Sequence, residues 1–369
     1  MSKKALFLCN TYMQFIFALI IRNTKFGDYY STVILGSTGG LKKIYDYNYE
    51  TLKSYFQEVY WTDNNKWGTY YAQTEYDSNE KLIEEFGQDF SDYSDIFFHN
   101  RSGALQSILR NNARNSAKYN LHHYEEGRGI YISGDEYLSR RDIADDTDRN
   151  RKINQQHFGG LDYSDLECDV YVCNPDLISN VMKRKTVRIF EETLAEKERD
   201  AIMSCYSIRE QSFGSLNENV IFLGGANDTA IGHDDGYINV INKIAGLVGY
   251  ENFLYKAHPR SPIAADNSLI KTFVDSLPIE IYELRGELQD KVLITSLSGA
   301  LCTIKYVFHS KAKVFFLYPM FKKAYPAYDE DVVINYINKL NAFYGGVYLI
   351  HSLDELRERL IETSVINAK

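Results

Sequence analysis

Short apolar runs recur along the chain, each closing on polar or glycine residues: 5–9, 32–35, 95–99, 220–223, 253–255, 292–295 and 314–317. Most are continuously apolar rather than alternating, the pattern of strands covered on both faces. Residues 4–9 read as a first buried strand and 13–22 as the helix after it. Helical spacing falls between several of the runs, at 78–86, 105–112 and 237–248. Strands alternating with helices predict parallel sheets. Near the end, 353–362 reads as an amphipathic helix with Leu353, Leu356 and Leu360 on one face.

The middle of the chain breaks this rhythm. Residues 132–165 are rich in Asp, Arg, Asn and Gln and read as a surface excursion or a loop with a short helix. Between 174 and 218 come a proline, a basic run and a Glu-rich helix over 191–205, and a fresh strand begins at Asn219. A chain of 369 residues suits two domains. The expected division is an N-terminal domain over 1–180, a linker region over 181–215 and a C-terminal domain over 216–369 that ends in the amphipathic helix. No internal repeat or low-complexity tract interrupts it.

Composition narrows the function classes. Apolar content of 44% and charged content of 25% are those of a folded protein. The 30 Tyr against 6 Pro would suit sugar rings, since a phenol offers an apolar face and a hydroxyl. An AT-biased genome gives the same composition, so the tyrosines alone decide nothing. A net charge of -9 argues against a nucleic-acid partner. Lys183-Arg184-Lys185 with Arg188 breaks the acidic pattern; it reads either as a solvated helix face or as a patch for peripheral contact with anionic inner membrane. Five cysteines, an odd number without a CxxC pair, fit neither a disulfide framework nor a zinc site. Lys3-Lys4 before an apolar run resembles the start of a signal peptide. Asn10, Thr11, Tyr12 and Gln14 interrupt that run, no small-residue cleavage site follows, and 15–21 is too short to span a bilayer. The expectation is a cytoplasmic protein.

Three segments carry candidate chemistry, each just past a predicted strand, where open parallel sheets bind ligands. Tyr124-Glu125-Glu126-Gly127 is a tight acidic turn, which taken alone reads first as an ordinary solvated turn and second as one that presents a general base to a hydroxyl. In Tyr255-Lys256-Ala257-His258-Pro259-Arg260, proline holds His258 extended, and Lys256 and His258 share one side of the segment. Together they offer a charge and a proton donor to one phosphate. Thr295-Ser296-Leu297-Ser298-Gly299-Ala300 enters a helix, and reads as a phosphate-binding helix start or as a plain serine N-cap. Gly224-Gly225-Ala226-Asn227-Asp228 is a further glycine turn after a strand, without the spacing of a dinucleotide or Walker loop.

Taken in order, Glu125-Glu126-Gly127, His258-Pro259 and Ser296-Leu297-Ser298 resemble the D/E-D/E-G, HP and S-S/T motifs of the bacterial sialyltransferases. Cys9-Asn10-Thr11-Tyr12-Met13-Gln14 is similar to the opening of the family 52 enzymes, which make sialylated lipooligosaccharide and capsule. The resemblance spans about residues 5–320. It departs from the family at Leu297, which separates the two serines, and at Tyr12, where the family usually has proline.

The resemblance implies an α/β fold of the GT-B type, two Rossmann-like domains facing across a cleft. It also implies an inverting, metal-independent transfer of sialic acid from CMP-sialic acid to a hydroxyl of a terminal sugar, such as galactose, on a surface glycan. No cofactor is called for. Glu126 matches the family base, and His258 would contact the leaving CMP phosphate. Ser298 would hold the same phosphate, and Lys256 would lie in the nucleotide pocket with Pro259, Arg260, Ser296, Gly225 and Asn227. Asn10, Gln14, Glu125 and Gly127 would lie on the acceptor and sugar side. The partners implied are the CMP-sugar donor and a glycan or glycolipid acceptor, and related enzymes can be homodimers. Asp329-Glu330-Asp331 has DxD spacing but follows Pro326 in an expected loop, and reads as solvated surface. Competing readings are a CMP-sugar transferase of the Kdo-using kind, a UDP-sugar GT-B enzyme such as an epimerase, and a non-catalytic glycan-assembly protein.

Overall fold

The computed structural model describes residues 3–36, 40–64, 66–67, 78–99, 104, 108, 120–125, 127–142, 168–191, 193–206, 216–225, 235–258, 268–273, 277–325 and 328–366. The chain divides into two compact units. The first holds Met1–Glu126, Ser133–Pro175 and Val181–Glu210, and the second holds Gly127–Ile132, Asp176–Asn180 and Gln211–Lys369.

The first unit is built on a seven-stranded sheet in the order β3-β2-β1-β4-β5-β6-β7. Its strands are β1 (Lys4–Cys9), β2 (Tyr30–Gly36), β3 (Glu58–Thr62), β4 (Asp95–Phe98), β5 (Asn120–Tyr124), β6 (Cys168–Val172) and β7 (Thr186–Arg188). Every pairing is parallel. Helices α1 (Tyr12–Lys25), α2 (Leu41–Tyr55), α3 (Ser78–Phe86), α4 (Gly129–Asp142) and α5 (Glu196–Tyr206) fall between or after the strands. Alternation along β1 sends its apolar side chains both ways. Leu6 and Leu8 join a buried cluster with Trp67, Leu82 and Phe86, while Phe7 stacks on Phe97 at 4.7 Å and meets Phe56 edge-on. Burial on both faces explains the continuous apolar run.

Residues 181–210, expected as linker, belong to the first unit. The basic run leads into β7 instead of forming a helix, because Val170 N–H bonds to the Lys185 carbonyl and starts the edge ladder. Lys185 pairs with Asp169 at 2.9 Å, and Arg184 lies 4.0 Å from Asp135. The Glu-rich helix starts at Glu196 rather than 191 and packs on α1 and α2, with Tyr206 against Tyr12 and Phe15. The start of the expected excursion at 132 is helical, in α4, whose regular geometry breaks at Gly134 with φ 54°. The rest of the excursion, and most of the helix expected over 105–112, lie outside the described residues.

The second unit carries a six-stranded parallel sheet in the order β10-β9-β8-β11-β12-β13. Its strands are β8 (Val220–Leu223), β9 (Phe253–Lys256), β10 (Lys271–Phe273), β11 (Val292–Thr295), β12 (Lys313–Phe316) and β13 (Val347–Leu349). Its helices are α6 (Asp235–Val248), α7 (Ile279–Leu284), α8 (Gly299–Tyr306), α9 (Tyr318–Phe321), α10 (Glu330–Tyr344) and α11 (Leu353–Glu362). Asp329, expected in a loop, is the N-cap of α10, its carboxylate accepting from Asp331 and Val332 N–H. The DxD spacing is thus a helix start, exposed to solvent as expected. No helix among the described residues is long and apolar enough to cross a membrane.

Candidate functional site

In the second unit the chain lays β8, β9 and β10 to one side of the sheet and β11, β12 and β13 to the other. The order reverses between β8 and β11, and ligands of open α/β sheets bind beyond the carboxyl ends of strands at such a point. Leu223 at the end of β8 lies opposite both Lys256 of β9 and Thr295 of β11. These three strand ends are therefore level. With neighbouring strands about 4.8 Å apart, they span about 10 Å, the scale of a ribose and its phosphate. Gly225, Lys256, His258, Ser296 and Ser298, five residues singled out by the sequence, gather along this edge.

Their roles differ. Gly224 N–H donates to the Lys256 carbonyl at 2.9 Å, which ties the glycine turn to the end of β9 and leaves Gly225 buried beside it. Lys256 is 5% exposed, with its ammonium 5.7 Å from the centre of the Phe273 ring. His258 follows two residues later, partly open to solvent. Ser298 is the N-cap of α8, its Oγ accepting from Ala300 N–H at 3.3 Å, and stays partly exposed. Ser296 is fully buried, with its hydroxyl 2.7 Å from that of Tyr325. Pro259, Arg260 and Asn227 lie outside the described residues.

Glu280 joins this group without having been singled out by sequence. It sits on α7, 1% exposed, and Oε1 has no hydrogen-bond partner among the described residues. Burial raises its carboxyl pKa to about 7, offset in part by its own backbone N–H and by the charge of Lys256. The available signal was one acid between Ile279 and Ile281, where an apolar helix face would carry none.

Gly127 brings part of the acidic turn to the same unit. Its φ of +66° is in the left-handed region that favours glycine. A Cβ there would lie 3.6 Å from Gly299 Cα, so the backbone of this turn touches the first residue of α8. Arg128 follows, its guanidinium 5.6 Å from the centre of the Tyr328 ring. The acidic motif and the serine motif, about 170 residues apart in sequence, thus meet at Gly127 and Gly299.

In the first unit the order reverses between β1 and β4, and Asn10 stands just past β1. Asn10 is 8% exposed and accepts from Asn64 Nδ2 at 2.8 Å. Gln14, expected on the sugar side, is fully buried; its Oε1 accepts from Asn10 N–H at 2.6 Å while Thr11 Oγ1 accepts from Gln14 N–H at 3.3 Å. Thr11 and Gln14 form a reciprocal cap at the start of α1, a variant of the capping box, and this gives the Cys9–Gln14 segment a folding role. Glu125, also expected on the sugar side, is 0% exposed; Oε2 accepts from Cys173 N–H at 2.6 Å, joining the ends of β5 and β6. One oxygen of its carboxylate thus serves the fold. Glu126 lies outside the described residues.

No protein-family model matches the chain, and no curated protein sequence does. Solved structures do. A spinosyn forosaminyltransferase aligns over 98% of this chain and 90% of its own with a TM-score of 0.50 at 8% identity. A spinosyn rhamnosyltransferase aligns over 99% and 92% with a TM-score of 0.46 at 8% identity. The UDP-GlcNAc 2-epimerase of Methanocaldococcus jannaschii, solved with UDP-GlcNAc and UDP, aligns over 99% and 93% with a TM-score of 0.47 at 11% identity. At such identities likeness speaks to the fold alone, and the chain has the fold of the GT-B class, two α/β units each on a parallel sheet.

Proposed function

We propose that this chain is an inverting glycosyltransferase that moves sialic acid from CMP-sialic acid to a hydroxyl of a terminal sugar, such as galactose, on a surface glycan. The observation that carries the reading is the placement of Lys256 and His258 at the end of β9 and of Ser298 past the end of β11, the two strands that flank β8 at the switch point of the second sheet. A single phosphate leaving group needs donors of this kind: an ammonium, an imidazole able to protonate oxygen near neutral pH, and a hydroxyl at a helix start. Glu280, with a buried carboxyl oxygen that no described residue satisfies, would accept hydrogen bonds from ribose hydroxyls. Glu126 is the base that takes the proton of the acceptor hydroxyl. Its neighbour Glu125 is held by Cys173 N–H, which leaves the second acid of the pair for chemistry. Departure of CMP and attack from the opposite face give inversion without a metal. The donor carrying an activated sugar fits the company of the structural likenesses, among which UDP-GlcNAc is bound by the epimerase.

The test is CMP release from CMP-sialic acid, with and without lactose. Acceptor-dependent release is expected from the native protein. Glu126→Ala should abolish transfer while leaving CMP affinity within about two-fold, and His258→Ala should lower both turnover and CMP affinity, each by about ten-fold or more, the loss of a general acid or base. No release, with thermal stabilisation by UDP but not by CMP, would move the chain to the UDP-sugar enzymes.

A further inference from the structure

We propose that Arg128 is an anion-binding side chain of the donor site, its guanidinium taking an oxyanion of the bound donor beside the start of α8. The inference rests on the reading of the second unit as the donor-binding one.

Arg128 carries a charge that no described residue balances. Its Nε is buried and has no hydrogen-bond partner among the described residues, and no described carboxylate pairs with it. What surrounds it are the phenols of Tyr328, Tyr325 and Tyr336 and the thiol of Cys302. All are neutral near pH 7. The ring of Tyr328 offers a cation–π contact at 5.6 Å, which orients a guanidinium but does not neutralise it. Arg128 is partly exposed, but holding its Nε out of water without a counter-charge disfavours folding, so such a group persists where a ligand supplies the charge.

The geometry supplies a place for that ligand. A Cβ on Gly299 would sit 3.6 Å from Arg128 Nη1 and 3.4 Å from Arg128 N, so the guanidinium lies against the bare first residue of α8. Ser298, immediately before it, is the partly exposed N-cap. A planar fork of donors beside a helix start matches a phosphate or a carboxylate. CMP-sialic acid offers both, the phosphate of the nucleotide and the carboxylate on the anomeric carbon of the sugar.

Two readouts separate these sources. Affinities for CMP and cytidine are measured by calorimetry on the native protein and on Arg128→Gln, and KM and kcat for CMP-sialic acid are measured on both. If the phosphate is the anion, CMP affinity falls at least ten-fold while cytidine affinity is unchanged. If the carboxylate is the anion, CMP affinity holds and KM for the donor rises at least ten-fold. CMP affinity and donor KM both within two-fold of native, in a protein that melts normally, would overturn the proposal. Should Arg128→Gln fail to fold, Arg128→Lys keeps the charge and loses the fork, and is judged by the same two readouts. Failure of both variants to fold would make Arg128 a structural residue and overturn the proposal as well. A native protein that binds UDP and not CMP would refute the CMP-sugar reading alone; Arg128 is then judged with UDP against uridine, a ten-fold selective loss supporting it and an unchanged affinity refuting it.

Discussion

Glu280 is 1% exposed, and its pKa of about 7 means that ionising it works against folding. The folded pKa lies above the usual value of 4.5, so stability is greatest below pH 4.5 and falls as pH rises through about 7. A shift of this size corresponds to roughly 3 kcal/mol at pH 8. Glu280→Gln should therefore raise the melting temperature at pH 8, with the advantage vanishing near pH 5, and should weaken nucleotide binding. Melting curves across that range read the sign directly; a variant less stable than native at pH 8 would show that the carboxylate is paired and serves the fold. At this same scale, sequence located the chemistry unevenly. The placement of Lys256, His258 and Ser298 was legible because strand ends and helix starts leave local signatures. Glu125, Gln14 and Ser296 also bond within the fold, to Cys173 N–H, Asn10 N–H and the Tyr325 hydroxyl, and the partners of Glu125 and Ser296, 48 and 29 positions away, are ones that no local pattern displays.

At the scale of elements, two helix starts built alike separate a cap from a ligand contact. Ser298 caps α8 at the candidate site, while Ser352 caps α11, where its Oγ accepts from Glu355 N–H at 3.1 Å and Glu355 accepts in return from His351 N–H at 2.8 Å. Replacing either serine with alanine should lower stability by about 1 kcal/mol, the usual value of an N-cap. Only Ser298→Ala should also weaken CMP binding. Equal nucleotide affinity in the two variants would reduce Ser298 to a cap. The elements themselves were legible where both faces are covered: β1, β8, β11, α3 and α11 run over the residues their apolar pattern marks. The pattern did not mark β3, β7, β10 and β13, and these are the four edges of the two sheets. An edge strand has a neighbour on one side only, is short or partly polar, and so lacks the continuous apolar run. Inner strands β5 and β6 were absent from the apolar runs as well, because polar residues interrupt them, Asn120, His122 and His123 in β5 and Asp169 in β6.

At the scale of the whole molecule, the two units were legible and their boundary was not. The chain leaves the first unit at Gly127, returns at Ser133, and leaves again between Asp176 and Asn180. The two short visits bond to one another, Ser179 N–H donating to the Tyr131 carbonyl at 2.8 Å, and Lys339 of α10 donates to the Ile178 carbonyl at 2.8 Å. Tyr131 is 0% exposed, stacked on Tyr336 at 5.9 Å and tilted against Tyr306 at 5.2 Å. A fragment of residues 211–369 lacks this ring, whose burial is worth about 2 kcal/mol, and should melt less cooperatively than the intact protein. A dispersed amide NMR spectrum and a sharp melt from that fragment would show that the visits are dispensable.

This threading also bears on how such a protein can change by recombination. A single crossover near residue 210 would exchange the whole second sheet yet keep the native Tyr131 and the native Gly127-Arg128 turn. The incoming α8 and α10 would then meet side chains selected for different partners. Exchange of donor preference between chains threaded in this way therefore calls for three coordinated segments, or for point changes that leave the threading alone.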